Sequence, residues 1–446
     1  MKSGLKVTPL EAWIALKTGS TGSTLTREQV ERYQLSRLND SIARARTLSP
    51  FYRRHLAGMA RAAVARLEDL AGCPLTTPAD ITAHAMQMIC GSQSEISRVV
   101  TLDTSGTTGE PKRVYFSAAD QELTVDFFRC GMSTLVGTGD KTMILLPGER
   151  PGSVGDLLRQ GLLRLGGVPV AHGLVKNLPA AVEAMCREQV TCLVGVPVQV
   201  LAMARYWEKW QGSKRAPRCA LLSTDYVSAA IVSELRRIWQ CEVFEHYGMT
   251  EMGLGGGLEC QAHQGYHLRE NDLYFEVIDP VSARPLPDGE YGEVVFTTLT
   301  RQGMPLIRYR TGDISRFIPE PCPCGSSLRR LARVQNRLNS RVVLGEHQAI
   351  TMAELDEVLL ALPAVADFTA EVVYDRPAKL TVQVEILSGD ITHSEQVILN
   401  SLRLIPGVHM AERAGLLAIG ARIAHYFPHY SGKRSIRIME GVRSAT

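Results

Sequence analysis

The stretch Thr104-Ser-Gly-Thr-Thr-Gly-Glu-Pro-Lys112 follows the β-like run ISRVVTLD and precedes a long series of strand-like and helical segments. Its glycines let the backbone approach a polyphosphate closely and direct N–H groups at it, while hydroxyls and a lysine add donors and charge. The residues expected to contact phosphates are Ser105, Gly106, Thr107, Thr108, Gly109 and Lys112. The spacing is not that of a P-loop. Taken alone, the stretch also fits a flexible connector.

The residues that follow this stretch predict an α/β core. From Val99 to about Phe317, β-rich runs such as TMILLP, TCLVGV, CALLS and CEVFEHYG alternate with helical stretches such as LPAAVEAMCREQ and SAAIVSELRRIW. This alternation is typical of a mainly parallel sheet covered by helices. The runs LYFEVI and YGEVVFTTLT, separated by the turn-rich PLPDGE, predict an antiparallel β subdomain at the end of the core.

Helical spacing at residues 27–47 predicts that the chain opens with helices. After PEPCPCGSS the pattern restarts with a strand, a helix, two strands and a further helix, which indicates a small α+β domain. We therefore expect an N-terminal domain of residues 1–336 and a C-terminal domain of residues 337–446. A chain of this length usually exceeds a single hydrophobic core.

Composition narrows the class of protein. The 446 residues are 45% hydrophobic and 21% charged, as in an ordinary globular protein, and the net charge of +3 gives no global reason to expect nucleic acid as a partner. No apolar run approaches the roughly 18 to 20 residues of a membrane helix, and the first residues, MKSGLKVTPLEAW, lack the apolar stretch of a signal peptide. We expect a cytoplasmic protein without a membrane partner, whose ten cysteines do not form a disulfide framework.

Two further stretches carry candidate binding residues. In His246-Tyr-Gly-Met-Thr-Glu251, the tyrosine offers an aromatic face for adenine, the threonine a hydroxyl for phosphate and the glutamate a carboxylate for Mg²⁺. We expect this stretch on an exposed loop at a strand end. In Tyr309-Arg-Thr-Gly-Asp313, an aspartate at a strand-to-turn junction could accept hydrogen bonds from two ribose hydroxyls, although such a stretch is also common turn composition.

Together, these three stretches resemble the acyl-adenylate-forming superfamily, which includes acyl-CoA synthetases, nonribosomal adenylation domains and luciferases. Residues 105–112 match its SGTTGxPK signature, residues 247–251 its YGxTE signature and residues 311–313 its TGD signature, in that order. Pro50-Phe-Tyr-Arg-Arg, Leu75-Thr-Thr, FTTLTRQGMPLIRYRTGD and Cys322-Pro-Cys-Gly make the chain most similar to the phenylacetate-CoA ligase branch. The resemblance covers residues 48–340 well and the C-terminal domain only loosely.

The resemblance implies a role for individual residues. Thr250 would contact the α-phosphate, Glu251 would bind Mg²⁺, Asp313 would hold the ribose and Tyr247 would lie against adenine. His246 and Gly248 belong to the same nucleotide-binding stretch, Arg337 would be the arginine that follows Asp313, and Asp225 would stand in for the acid of a neighbouring loop. Lys433, in Ser431-Gly-Lys-Arg434, would be the catalytic lysine, although it also fits a solvated tail residue.

The implied reaction is ATP-dependent activation of a carboxylic acid as an acyl-AMP, then thioester formation with coenzyme A. The hinge signature Gly-Arg-x-x-Asp reads Asn336-Arg-Leu-Asn-Ser340 here, which favours two alternatives. One is an adenylating ligase with a non-CoA acceptor, such as a carrier protein or an amine. The other is a nucleotide-binding homologue without catalysis.

The acyl pocket is expected at residues 126–155, 223–226 and 253–257, where glycines would leave room for a ring. Phe127, Phe128 and Met252 could wall it and favour an aryl or arylacetic acid, although they also fit core positions. A homodimer is a further open expectation.

Two closely spaced pairs of residues predict a structural zinc site. Cys260-x-x-His263 and Cys322-x-Cys324 supply three thiolates and an imidazole, which suit tetrahedral Zn²⁺ and leave no open position. His267 is a rival for the fourth position, and ordinary turn cysteines are the alternative.

Overall fold

The computed structural model describes residues 4–20, 25–59, 63–102, 111–210, 212, 215–334, 336–338, 340–345, 348–387, 395–428 and 433–440. The chain divides into two compact units. Unit 1 comprises residues 1–138, 148–167 and 244–334, and unit 2 comprises residues 139–147, 168–243 and 335–446. Among the described residues, no helix combines the length and the apolar composition that a membrane crossing requires.

The secondary structure is numbered in chain order. The helices are α1 (Pro9–Thr18), α2 (Arg27–Leu48), α3 (Pro50–His55), α4 (Pro78–His84), α5 (Ala118–Met132), α6 (Val154–Arg164), α7 (Leu178–Arg187), α8 (Pro197–Lys209), α9 (Ala229–Trp239), α10 (Met352–Leu359), α11 (Glu395–Leu402) and α12 (Pro406–Arg413). The strands are β1 (Ile96–Leu102), β2 (Lys112–Ser117), β3 (Lys141–Leu145), β4 (Val168–Ala171), β5 (Cys192–Gly195), β6 (Cys219–Leu222), β7 (Glu242–Tyr247), β8 (Gly257–Glu259), β9 (Tyr266–Leu268), β10 (Leu273–Ile278), β11 (Gly292–Thr298), β12 (Tyr309–Ser315), β13 (Arg330–Leu331), β14 (Asn336–Arg337), β15 (Val342–Val343), β16 (Ala349–Ile350), β17 (Val365–Tyr374), β18 (Ala378–Ile386), β19 (Leu417–His425) and β20 (Arg437–Glu440). Short 3₁₀ turns span Leu67–Gly72, Ala85–Met88, Gln93–Glu95 and Thr250–Met252.

Unit 1 is built on antiparallel strands. Strands β10, β11 and β12 form a meander, β1 pairs with β2, and β8 and β9 pair with each other beside β13. Its core packs α2 and α3 against the inner faces of β2 and of the meander. Helix α2 begins at a capping box, in which the Thr26 hydroxyl accepts from the Gln29 N–H at 3.3 Å and the Gln29 side chain accepts from the Thr26 N–H at 2.9 Å.

Unit 2 contains the parallel strands. Strand β3 pairs with β4 and β5, and β5 pairs with β6, all in parallel register, while helices α7 to α9 connect or follow them. Strands β5 and β6 are buried along their whole length, which explains why they read as continuous apolar runs.

The C-terminal part of unit 2 is a four-stranded sheet in the order β19-β18-β17-β20. Strands β17 and β18 form an antiparallel hairpin, and β19 and β20 add to its two edges in parallel register. Arg205 on α8 is buried and donates to the carbonyl oxygens of Val365 and, at 2.8 Å, of Leu360. These bonds tie α8 to the start of β17.

The predicted fold class is confirmed. The parallel strands, the antiparallel subdomain and the restart after residue 336 all occur where the sequence placed them. Strands β19 and β20 and helix α12 were not predicted. The domain boundary at residue 336 stays a prediction.

Candidate active site

The candidate nucleotide-binding stretch begins at the end of β7 and continues into the turn Thr250–Met252. His246 and Tyr247 are the last residues of the strand, Gly248 follows it, and Thr250 opens the turn. The stretch was expected on an exposed loop, but Tyr247 is only 6% exposed and Glu251 only 5%. Both side chains are held by partners inside unit 1.

Glu251 lies in a group of three polar side chains. Its Oε1 forms an ion pair with the Lys112 ammonium and accepts a hydrogen bond of 3.1 Å from the Tyr309 hydroxyl, which in turn accepts from Lys112 at 3.3 Å. Burial by itself would raise the pKa of Glu251, but Lys112 and Tyr309 lower it below its ordinary value. The carboxylate is therefore charged at neutral pH. Tyr309 had no role assigned from the sequence, although it opens the Tyr309–Asp313 stretch.

The Thr-Gly-Asp stretch was expected at a strand-to-turn junction, but it lies inside strand β12. Between the pairs Glu293↔Ile314 and Val295↔Arg310, β11 advances two residues while β12 advances four, so residues 311–313 form a bulge opposite Val294. Gly312 has a φ of +74°, which favours glycine. The Thr311 hydroxyl donates to the Val294 carbonyl at 2.7 Å and accepts from the Asp313 N–H at 3.0 Å.

This bulge brings Asp313 to Tyr247. The Tyr247 hydroxyl donates to Asp313 Oδ2 at 3.0 Å, and the ring of Tyr247 lies against that of Tyr266 with centroids 5.8 Å apart. The second and third sequence stretches therefore meet at two places, Tyr309 with Glu251 and Asp313 with Tyr247. The first stretch contributes Lys112, while Ser105, Gly106, Thr107, Thr108 and Gly109 lie outside the described residues.

The expected acyl pocket needs a correction at Gly255. A Cβ added there would overlap the ring of Phe127, so this glycine makes room for the protein's own side chain rather than for a bound ring. Phe127 and Phe128 are buried, and their centroids lie 6.1 and 6.4 Å from the His246 ring. Desolvation of the imidazole beside these rings lowers the pKa of His246 to about 4.

In unit 2 the structure brings Asp225 to the segment that carries Lys433. Asp225 Oδ2 accepts from the Arg434 N–H at 3.4 Å, and burial raises the pKa of this carboxyl. The guanidinium of Arg434 pairs with Asp356 and, at 3.1 Å, with Asp367. The side chain of Lys433 is exposed, as is that of Arg337 on β14. Sequence reasoning missed Arg434 and both of its acidic partners, because no local pattern connects positions so far apart.

The candidate metal cluster consists of Cys260, His267, Cys322 and Cys324. All are buried, and their ligand atoms lie within 4.8 Å of one another. The Sγ atoms of Cys260 and Cys322 are 3.7 Å apart, and Cys324 Sγ is 3.5 Å from His267 Nε2. A tetrahedral ion with bonds of about 2.3 Å would hold its ligands about 3.8 Å apart, so these donors fit Zn²⁺.

The structure therefore replaces His263 with His267 in this cluster. His263 Nδ1 lies 3.3 Å from Glu259 Oε2, and its ring packs against Phe244. His267 is on β9, opposite Leu258 on β8, and this strand pairing directs it to the residue that follows β8, Cys260. Sequence spacing favoured His263 because it is closer along the chain.

The surroundings of Glu251 fit Mg²⁺. A buried carboxylate that is kept ionised and that already pairs with a cation is a hard oxygen ligand for a divalent ion.

The chain is similar in sequence to known proteins. A model of the family described as AMP-binding enzyme matches residues 97–300. The phenylacetate-coenzyme A ligase of Thermus thermophilus is 30% identical over 356 residues, which cover 77% of this chain and 78% of that protein. This chain belongs to the phenylacetate-coenzyme A ligase family. The family member of Escherichia coli is 25% identical over 331 residues, which cover 72% of this chain and 74% of that protein.

Solved structures show the same fold as this member of the family. A 2-hydroxyisobutyryl-CoA ligase in its postadenylation state, in complex with 2-HIB-AMP, aligns with a TM-score of 0.76 at 20% identity over 94% of this chain and 91% of that one. An anthranilate CoA ligase in complex with anthranoyl-AMP aligns with a TM-score of 0.54 at 16% identity over 75% and 65% of the two chains.

Proposed function

We propose that this protein uses ATP to convert a carboxylic acid into an acyl-AMP and then transfers the acyl group to coenzyme A. The single observation that carries the proposal is that residues of three separate sequence stretches meet in unit 1: Lys112 and Tyr309 contact Glu251, and Tyr247 contacts Asp313. The family description, AMP-binding enzyme, supports the adenylating step, and the names of the relatives support coenzyme A as the acceptor.

In the first step, a carboxylate oxygen of the acid attacks the α-phosphorus of ATP, a P–O bond forms, and pyrophosphate leaves. Thr250 would donate to an α-phosphate oxygen, and Lys112 and Lys433 would neutralise developing charge. Asp313 would accept from the ribose hydroxyls and Tyr247 would lie against adenine. Glu251 would hold Mg²⁺, which supplies charge neutralisation on the phosphates when bound.

Several other residues complete the proposed nucleotide site by their likeness to the family. These are Ser105, Gly106, Thr107, Thr108, Gly109, Asp225, His246, Gly248 and Arg337.

In the second step, the thiol of coenzyme A attacks the acyl carbonyl carbon, a C–S bond forms, and the bond to AMP breaks as the thiol loses its proton. We assign this step to a reorientation of a small domain, residues 337–446, about the segment at Arg337. Because the hinge signature is changed at Asn339 and Ser340, this is the step at which an acceptor other than coenzyme A would enter.

For the acid we propose an aryl or arylacetic compound, because the relatives are named for phenylacetate. The likeness to a ligase of a short hydroxy acid shows the fold alone. Since Phe127 fills the space at Gly255, the walls of the acyl pocket lie elsewhere than that glycine.

We further propose a structural zinc ion at Cys260, His267, Cys322 and Cys324. It would tie β9 to the loops that follow β8 and precede β13. A cytoplasmic location, the lack of a nucleic acid or membrane partner and a homodimer stay predictions of the sequence.

ATP–pyrophosphate exchange over a panel of acids tests the first step. We expect exchange with at least one aryl or arylacetic acid, reduced on the order of a hundredfold or more in Lys433→Ala and unchanged in Lys379→Ala, whose lysine is exposed on β18. Undiminished exchange in Lys433→Ala would remove that residue from the mechanism.

The acceptor is tested by adding coenzyme A to the same reaction. Release of AMP that depends on coenzyme A supports the thioester step. Exchange without such release would favour a carrier protein or an amine as the acceptor. No exchange with any acid would favour a nucleotide-binding protein without catalysis.

A further inference from the structure

The carboxylate proposed to hold Mg²⁺ is already paired with a cation of the protein itself. The Lys112 ammonium and the Tyr309 hydroxyl both contact the same oxygen, Oε1 of Glu251. The side chains of Glu251 and Lys112 are only 6% and 16% exposed, so this is a largely buried pair. A metal ion bound by Oε1 would meet Lys112 at the same atom.

A buried carboxylate needs such a partner. Removing an unpaired charge from water is strongly unfavourable, and one cation at hydrogen-bonding distance offsets most of this effect. Lys112 is that cation here. The lysine therefore offsets the buried charge of Glu251, as well as being a candidate phosphate contact.

The backbone on both sides of the pair is held in place. Arg301 donates to the carbonyl oxygen of Glu251 at 2.7 Å, and its guanidinium stacks on the ring of Phe116, 4.3 Å from the centroid. Phe116 and Lys112 belong to the same strand, β2. The part that can move is the flexible four-carbon side chain of the lysine, which can withdraw its ammonium without a change in the strand.

Lys112 and Mg²⁺ cannot share the oxygen. Mg²⁺ lies about 2.0 to 2.1 Å from a ligand oxygen, and an ammonium paired with that same oxygen would face a divalent charge at short range. Tyr309 is neutral and can keep its hydrogen bond. Binding of the metal ion at Oε1 therefore displaces the lysine and not the tyrosine.

We propose that Lys112 is the internal counter-ion of Glu251 and that Mg²⁺ binding exchanges the two cations, freeing the lysine for the nucleotide phosphates. The proposal rests on the assignment of Glu251 as the magnesium ligand. Mg²⁺ should therefore raise the affinity for the nucleotide, and the nucleotide should raise the affinity for Mg²⁺ by the same factor, because the phosphates receive the lysine that the metal ion displaces. Tyr309 is a positioning residue that holds Oε1 in both states.

The exchange can be measured in the unaltered protein. Lysines are acetylated with a short pulse of reagent, with and without saturating Mg²⁺ and without nucleotide, and the extent at each lysine is read by mass spectrometry. We expect Lys112 to react about tenfold more slowly than the exposed Lys379 without Mg²⁺, and several-fold faster once Mg²⁺ is added. Reactivity of Lys112 that stays the same or falls with Mg²⁺ would overturn the proposal.

Variants test whether Lys112 and Mg²⁺ compete for Glu251. In Lys112→Met the Mg²⁺ concentration that gives half of the maximal rise in melting temperature should fall about tenfold, while Lys112→Arg and the control Lys379→Met should match the unaltered protein. Glu251→Gln should lose the Mg²⁺-induced rise. An unchanged midpoint in Lys112→Met, or a full rise in Glu251→Gln, would contradict the exchange. Mg²⁺ is removed by gel filtration, because a chelator would also remove the zinc ion proposed at the cysteine cluster.

These measurements need no turnover, so the cation exchange at Glu251 can be tested independently of the proposed function. Exchange of Lys112 for Mg²⁺ in a protein without pyrophosphate exchange would reject the proposed function and keep this inference. Normal pyrophosphate exchange with no effect of Mg²⁺ on the reactivity of Lys112 would keep the proposed function and reject this inference.

Discussion

At the scale of residues, the stretch from His246 to Glu251 contains two titratable side chains, the half-buried His246 and the buried Glu251, of which one is neutral and the other is charged. Glu251 stays ionised because Lys112 and Tyr309 contact its carboxylate. His246 stays neutral because its surroundings include the rings of Phe127 and Phe128. The sequence offered both residue types as polar candidates. Only the packing around them decides which one carries charge.

The neutral state of His246 predicts how stability depends on pH. Its folded pKa of about 4 lies below the ordinary 6.5, so between these values the unfolded chain binds a proton that the folded protein does not. The free energy of unfolding should therefore fall as pH drops from about 6.5 to 4, by about 1.4 kcal/mol per pH unit from this residue. Urea unfolding of the unaltered protein and of His246→Gln over this range measures the difference.

The control for this prediction is His409→Gln, because His409 is exposed on α12. It should keep the pH dependence of the unaltered protein, whereas His246→Gln should show a shallower one. Parallel curves for all three proteins would show that His246 titrates normally in the folded state.

At the scale of elements, helix α10 presents two neighbouring carboxylates to different partners. Asp356 pairs with Arg434, which also pairs with Asp367 and stacks on Phe368 at 4.4 Å. Glu357 accepts from the Tyr226 hydroxyl at 2.8 Å and from the Ala229 N–H at 3.0 Å. The helix therefore joins the segment beside Lys433 to the loop that leads into α9.

Loss of the Arg434 charge should destabilise this arrangement in a pH-dependent way. Burial raises the pKa of Asp356 to about 7 although Arg434 opposes this, so without the arginine the carboxyl should protonate at a still higher pH. Arg434→Gln should lower the free energy of unfolding by about 3 to 5 kcal/mol at pH 8 and by less at pH 6, where Asp356 takes up a proton. Arg437→Gln, at an exposed position on β20, should have little effect at either pH. Equal losses for Arg434→Gln at pH 6 and pH 8 would contradict this account.

At the scale of the whole molecule, the sequence predicted most elements and fewer of the contacts. Apolar runs and helical spacing located β3, β5, β6 and α2, because burial of one face leaves a periodic trace. Strand β19 was missed since its burial is partial and irregular. The binding residues of unit 1 were found as separate stretches. The contacts by which Tyr309 and Arg301 join these stretches were not predicted, because contacts between residues far apart along the chain leave no local pattern.

The cysteine cluster gives a prediction that concerns the whole protein. Protein purified without a chelator should contain about one equivalent of zinc, and His267→Gln should lose it together with several degrees of melting temperature, because structural zinc contributes directly to folding. His263→Gln is the matched control and should retain the metal ion. Less than about half an equivalent of zinc in the unaltered protein, or loss only in His263→Gln, would refute the assignment.

The bulge in β12 limits how this family member can change in length during evolution. Three residues of β12, Thr311, Gly312 and Asp313, stand opposite one residue of β11, and Tyr309 lies two residues before them. A strand reverses the face of every later side chain when one residue is inserted or deleted. A single-codon insertion or deletion here would turn Asp313 away from Tyr247. Lineages should therefore tolerate length changes in the connection between β10 and β11 far more readily than between residues 309 and 315.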